Sequence, residues 1–302
     1  MYRWIGWLTR PDRLHLLGKL LAWIPPPFLL ALFFGVSHLL ARFGGAVSQR
    51  VKDNMSAVLG TQAPVQRLRR QYFYQVCVAL YELLFVSHRL PKQGFKRFYP
   101  EGEEHLQSAL QKGKGAIVYA PHIGNFFFAY WYLSQRYPCL AVVTAQSAEL
   151  RPLYLIFQEL GCEGLDYDET PPLVMLRKLR RHLSQNGVVF LLGDFSRPEF
   201  PLGHMFGKKT PLPRGAAMLA LEGNAPVIPF YCRRKKGFAH QLTFFAPLNL
   251  HEHYEKNQTA EAMKQLYSFL EDAVRAVPAE WLYWFYVDER WTTEDYHAGE
   301  VS

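Results

Sequence analysis

The sequence predicts an α/β fold built on a mostly parallel central sheet, with an apolar N-terminal helix of membrane-anchoring character set before it. Short apolar runs bounded by Gly, Pro or Asn alternate with longer stretches of helical periodicity through the middle of the chain. The stretch from Leu20 to Ala41, LLAWIPPPFLLALFFGVSHLLA, contains no Asp, Glu, Lys or Arg. A chain of 302 residues that is 49% hydrophobic and 15% aromatic can bury a sizeable core, which excludes disorder as its main state.

The charge-free stretch has about the length that spans a bilayer. Pro25, Pro26 and Pro27 interrupt a helix there, leaving Phe28 to Phe43 as a continuous helical run that is short for a span. An anchor lying partly in one leaflet follows, with Trp23, Phe28, Phe33 and Phe34 as its lipid-facing side chains; a buried core helix is the other reading. Arg3, Arg10, Arg13 and Lys19 precede the segment while Arg42, Arg50 and Lys52 follow it. Charge therefore sets no orientation, though it suits anionic head groups on both flanks. The long basic lead-in and the lack of a small-residue cleavage site argue against a cleaved signal peptide.

From Val47 to Leu90 the pattern is helical and amphipathic, with Leu68, Tyr72, Val76, Leu80 and Leu84 at four-residue spacing beside Arg67, Arg69 and Arg70. Gly102 to Lys112 reads as another helix, ended by Gly113 and Gly115. The run AIVYA, Ala116 to Ala120, reads as a buried strand, followed by strands at Cys139–Thr144, Val188–Leu192 and Ala225–Cys232. Helical patterns at Leu150–Leu160 and Leu173–Leu183 separate the first three, so the strands run parallel. The expected division is an anchor over 1–45, a main domain over 46–291 and a polar tail over 292–302.

Lys and Arg outnumber Asp and Glu by 34 to 26, a net charge of +8, which favours an acidic partner: nucleic acid, anionic lipid or an acidic carrier protein. The basic residues are scattered and no recognition motif is visible, so nucleic acid is the weakest of these. Cys77, Cys139, Cys162 and Cys232 form no close pair, which suggests neither a zinc knuckle nor a redox motif. A reducing compartment fits them, and neither metal nor cofactor is expected.

Three stretches carry chemistry. In PHIGNF, Pro121 and Gly124 set a turn that leaves His122 just beyond the AIVYA strand, with Asn125 beside it. Carboxyl ends of strands are where ligands collect in open α/β sheets, and imidazole suits taking a proton from an alcohol. A structural histidine is the alternative. In GDFSRPEF, Asp194 lies at another strand end, placed to orient a histidine or grip a hydroxyl, and Arg197 to grip a phosphate. There the alternative is a turn-capping Asp and an exposed Arg. In FGKKTPLPRG, Lys208, Lys209, Thr210 and Arg214 sit in an expected loop before an apolar helix, where a helix N-terminus adds to an anion site; a solvated basic loop is the alternative.

Together these stretches resemble the bacterial lipid A acyltransferase family, the lauroyl and myristoyl transferases of lipid A synthesis, within the wider glycerolipid acyltransferases. The resemblance includes Arg50 and Asn54 in RVKDNM, GKGAIVYAPHIGN, Phe206 and Gly207 before a Thr, AAMLALEGNAPVIPF, and the ending PAEWLYWFYVDERW. Asp194, Phe195, Ser196 and Arg197 are similar to a Glu-Gly-Thr-Arg motif of the wider group. The resemblance implies an αβα acyltransferase fold on the cytoplasmic face of the inner membrane. It implies an acyl carrier protein or coenzyme A thioester as donor and a hydroxyl of a lipid or glycolipid as acceptor. His122 would be the general base and Asp194 would orient it. Asn125, Arg197, Lys208, Thr210 and Arg214 would bind substrate. The basic surface at Arg67–Arg70 or Arg233–Lys236 would face an acidic carrier protein. One position departs from the family: its acid five residues after the histidine is here Phe127. That motivates the rival reading, a protein that keeps the fold and anchor as a lipid-binding scaffold without catalysis.

Overall fold

The computed structural model describes Leu21, residues 23–144 and residues 151–291. The polar tail expected over 292–302 and the start of the anchor segment lie outside these residues.

Helix α1 (Pro26–Phe43) carries prolines in its first turn, where a missing N–H breaks no intrahelical bond, so it begins earlier than Phe28. The periodic stretch expected from Val47 to Leu90 is two helices, α2 (Gly45–Leu59) and α3 (Val65–Tyr81), and then a wider π-helical turn, Glu82–Val86, followed by short helical turns. Gly60, at φ 83°, and Pro64 divide them, each unable to continue a helix in its position.

The α/β body follows: β1 (Phe98–Glu101), α4 (Glu103–Gln111), β2 (Ala116–Ala120), α5 (Phe126–Arg136), β3 (Cys139–Val143), α6 (Arg151–Glu159), β4 (Glu163–Asp166), α7 (Pro172–Ser184), β5 (Val188–Leu192), β6 (Leu202–Met205), β7 (Lys208–Pro211), α8 (Gly215–Gly223), β8 (Val227–Lys236), β9 (Ala239–Phe244) and α9 (Thr259–Ala276). Seven strands form one sheet in the order β1-β9-β8-β2-β5-β3-β4. Every neighbouring pair is parallel except the β8–β9 hairpin. Strands β6 and β7 make a separate antiparallel hairpin. Lys208–Thr210 is therefore strand rather than the expected loop. Phe206 (φ 54°) and Gly207 (φ 71°) supply two successive left-handed residues, the backbone of a tight hairpin turn.

Side-chain alternation along β2 separates two layers. Ile117 and Tyr119 join one core with Val51 and Met55 of α2, Met175 and Leu179 of α7 and Leu266 of α9. Ala116, Val118 and Ala120 join the other with Leu106 of α4, Phe128 of α5 and Phe157 of α6. Helices thus cover both faces, as an all-parallel sheet interior requires. In the β2–β5 ladder Ala120 lies opposite Leu192. Continuing each strand by two residues sets His122 beside Asp194, and Gly193 N–H donates to Ala120 O at 2.8 Å to hold that extension.

Candidate active site

His122 and Asp194 meet at the carboxyl end of the sheet. Asp194 is fully buried, and all of its bonds to this turn come from N–H donors. The backbone N–H of His122 reaches Oδ2 at 2.9 Å, and the Trp281 indole N–H reaches the same oxygen at 2.7 Å. The His122 ring meets Oδ1 through Nδ1 at 2.6 Å. Burial pushes the Asp194 carboxyl up, but the neighbouring His122 and these three donors outweigh it and hold the group below the usual aspartate range. An ionised carboxylate only accepts, so the proton between them sits on Nδ1, and in the neutral imidazole the lone pair is then on Nε2.

The turn before α5 is fixed by its glycine. Gly124 has φ 62°, and a Cβ there would lie 2.1 Å from the carbonyl oxygen of Cys232. The chain after α9 straps across this turn: Gly124 N–H donates to Glu280 O, and Leu282 N–H to His122 O, both at 2.9 Å. Helix α2 fastens the same strap. Arg50 grips the Asp288 carboxylate with two donors at 2.7 to 2.9 Å, and Asn54, one turn on, donates to Asp288 and to Trp284 O. Arg50 and Asn54, the first expected to flank the anchor as one of its basic charges and both quoted in the resemblance, thus hold the segment that carries Trp281, Tyr283 and Arg290. These three were not assigned to the site from the sequence, although the quoted ending PAEWLYWFYVDERW contains them. Tyr283 Oη is 3.2 Å from His122 Nε2, and Arg290 donates to the backbone carbonyl of Asp194 at 2.5 Å.

His122 opens onto a cavity of about 990 Å³, at the upper end of the range for small-molecule pockets, roughly 300 to 1,000 Å³. Its wall is mostly apolar, with Phe126, Phe127, Phe157, Leu179 and Phe190 among the lining residues, and Arg197, Arg214 and Arg290 line it as well. Phe127 packs on Phe126 and Phe157 with ring centroids 4.8 and 5.1 Å away. Arg197 binds Asp168 at 2.8 Å and covers the Phe195 ring at 5.2 Å. Arg214 stands at the start of α8 and also lines an adjacent groove with His204 and Lys264.

The other expected binding residues lie outside this lining. Asn125 is buried and caps α5 through Phe128 N–H, while its amide donates to Glu82 at 3.2 Å. Thr210 is buried in the hairpin, bonded to Lys208 O, and Lys208 lies over the Trp291 ring. Of the expected carrier-protein faces, Arg234 is not on the surface. It forms a buried ion pair with Glu82 at 2.7 Å, where His240 also meets that carboxylate at 3.0 Å. Burial pushes the Glu82 carboxyl up, but these two partners pull it down to about 2. Among the described residues no group of His, Cys, Asp and Glu is arranged to hold a metal ion, and the four cysteines are free thiols.

Comparison with known proteins matches residues 3–293 to the family model described as bacterial lipid A biosynthesis acyltransferase. A phosphatidylinositol mannoside acyltransferase of Mycobacterium tuberculosis is 30% identical over 205 residues, 64% of this chain and 62% of the relative. The protein of that name from Mycolicibacterium smegmatis is 34% identical over 137 residues, 43% of each chain. The matched region thus spans about three fifths of the mycobacterial relative's length, or less. With its family model covering nearly the whole sequence and its mostly parallel αβα sheet, the chain belongs to the bacterial lipid A biosynthesis acyltransferase family.

Proposed function

We propose that this protein transfers a fatty acyl group from a thioester, carried on acyl carrier protein or coenzyme A, to a hydroxyl of a membrane glycolipid or lipid. The observation that carries the reading is a histidine whose Nδ1 is held by a buried carboxylate and whose ring lines a large apolar cavity. His122 takes the proton of the acceptor hydroxyl as its oxygen attacks the thioester carbon, and Asp194 steadies the imidazolium that forms. The apolar wall suits a fatty chain, and Arg197 and Arg214 suit an acceptor phosphate or carboxylate. The names of the mycobacterial relatives favour a glycolipid acceptor. Phe127, the motive for a scaffold without catalysis, lines the cavity wall, while Asp194 stands at the histidine in place of an acid at 127. The exposed apolar face of α1 supports membrane attachment, and we place the protein on the cytoplasmic face of the inner membrane.

The test is a thioester-dependent acylation assay with the full chain in lipid vesicles, comparing acyl carrier protein and coenzyme A donors over glycolipid acceptors. His122→Ala should lower turnover by on the order of a hundredfold or more, and retention of more than about a tenth of wild-type activity overturns the base assignment.

A further inference from the structure

We infer that Tyr283 and Arg290 form the electrophilic half of the site, donating to the thioester carbonyl oxygen as it becomes an oxyanion. Granting the acyl-transfer reading above, two sets of contacts lead there. With the Nδ1 proton committed to Asp194, Nε2 of His122 accepts, and the Tyr283 hydroxyl 3.2 Å away donates to it. That hydroxyl therefore marks the place next to Nε2 that an acceptor hydroxyl must reach. Behind it, the Arg290 guanidinium lies over the Tyr283 ring, 3.5 Å from its centroid, and is tied to the Asp194 carbonyl. Both residues line the cavity with His122. The base, a neutral donor and a permanent cation thus line the same cavity side by side.

When the acceptor arrives, its hydroxyl takes over Nε2 and frees the Tyr283 O–H. The acceptor oxygen bonds to the thioester carbon, its proton passes to Nε2, and the carbonyl electron pair moves onto oxygen. Tyr283 O–H and the Arg290 charge meet that oxyanion. As the carbonyl reforms, the C–S bond breaks and the departing thiolate takes the proton from His122. A tyrosine that merely capped the histidine would slow the reaction by competing with the acceptor, so its removal would leave turnover unchanged or raise it.

Tyr283→Phe decides between these. The phenyl ring keeps its contacts with Trp281 and Tyr286 and loses only the hydroxyl. Loss of one oxyanion donor should lower kcat by roughly 10²- to 10³-fold while donor KM changes by less than about threefold. Arg290→Lys, which keeps the charge without the fork, should fall less far than Arg290→Met. Should either Arg290 variant fail to fold, Tyr283→Phe alone decides. An active wild type, an inactive His122→Ala and a Tyr283→Phe within about threefold of wild-type turnover, or faster, overturn the inference and leave the acyl-transfer reading standing. A wild type as inactive as His122→Ala with every donor overturns both.

Discussion

Asp194 accepts from three N–H groups, so replacing it is not a neutral loss of charge. In Asp194→Asn the new NH₂ either replaces Oδ1 and donates to Nδ1, moving the imidazole proton to Nε2 and leaving a tautomer that cannot act as base, or replaces Oδ2 and faces two N–H donors. The expected result is a turnover loss of roughly 10²- to 10⁴-fold together with a stability loss of about 1 to 3 kcal/mol, read by kinetics and by urea unfolding. Unchanged turnover would remove Asp194 from the mechanism. Phe127 tests the opposite wall. Phe127→Glu places a carboxylate between the Phe126 and Phe157 rings, where charge is unwelcome. Transfer should fall about tenfold or more, and further for long acyl chains than for short ones, because only long chains reach past an inserted charge. Gain of activity would show that an acid at this position still serves the histidine.

Among the elements, the strands with continuous apolar runs were legible in the sequence because both faces of β2 and β5 are buried. Register then places His122 against Asp194, a pairing that spacing in the sequence cannot reveal. Edge strands β1 and β4 were not legible: FYPE and EGLD bury one residue or none, so no apolar run announces them. Helix α5, FFFAYWYLSQR, is buried on most of its circumference and shows no amphipathic period. The closing strap is the least legible, because its short helical turns have no period and are held by Arg50 and Asn54 from far away in the chain. Two expectations belong to it. Gly124→Ala forces a side chain into the left-handed region and onto the Cys232 carbonyl, and should cost about 2 kcal/mol or more in a thermal melt, with activity falling as the His122 turn shifts. Glu280 gives the strap a pH dependence. Burial pushes its carboxyl up to about 7 from 4.5, although the Arg234 N–H and charge pull the other way. The native state therefore holds this proton more tightly than the unfolded chain does. Its contribution is complete below about pH 4.5 and is lost as pH rises through about 7. Unfolding free energy should drop by on the order of 1 to 3 kcal/mol between about pH 5 and pH 8. Glu280→Gln should flatten that slope, since an amide oxygen still accepts from Arg234 N–H.

At the scale of the whole molecule, the unanswered surface is helix α1. It touches the body along a thin stripe, Leu29, Ser37 and Ala41, while Phe28, Phe34 and Phe43 are exposed along with Trp23 just before it, the last at 88%. So much apolar area facing water suits a membrane surface. Its 18 residues extend about 27 Å, close to the thickness of a hydrocarbon core, so length alone permits a span. Its neighbour argues for a surface position. Helix α1 runs antiparallel along α3, with the Phe33 ring tilted against Tyr81 at one end and His38 accepting from Arg70 at 3.2 Å at the other. A crossing α1 in this pose would carry Arg70 and Arg69 into lipid, at roughly 2.5 kcal/mol or more for each. Lying flat in one leaflet buries the aromatic face and leaves both arginines at the head groups, where the anionic surface attracts them. Deleting residues through Ala41 should move the protein into the soluble fraction. The full chain should leave membranes in alkaline carbonate, and Phe28→Asp combined with Phe34→Asp should release it in buffer of ordinary ionic strength. A full chain that stays in the carbonate pellet is spanning, and α1 must then part from α3 in the membrane.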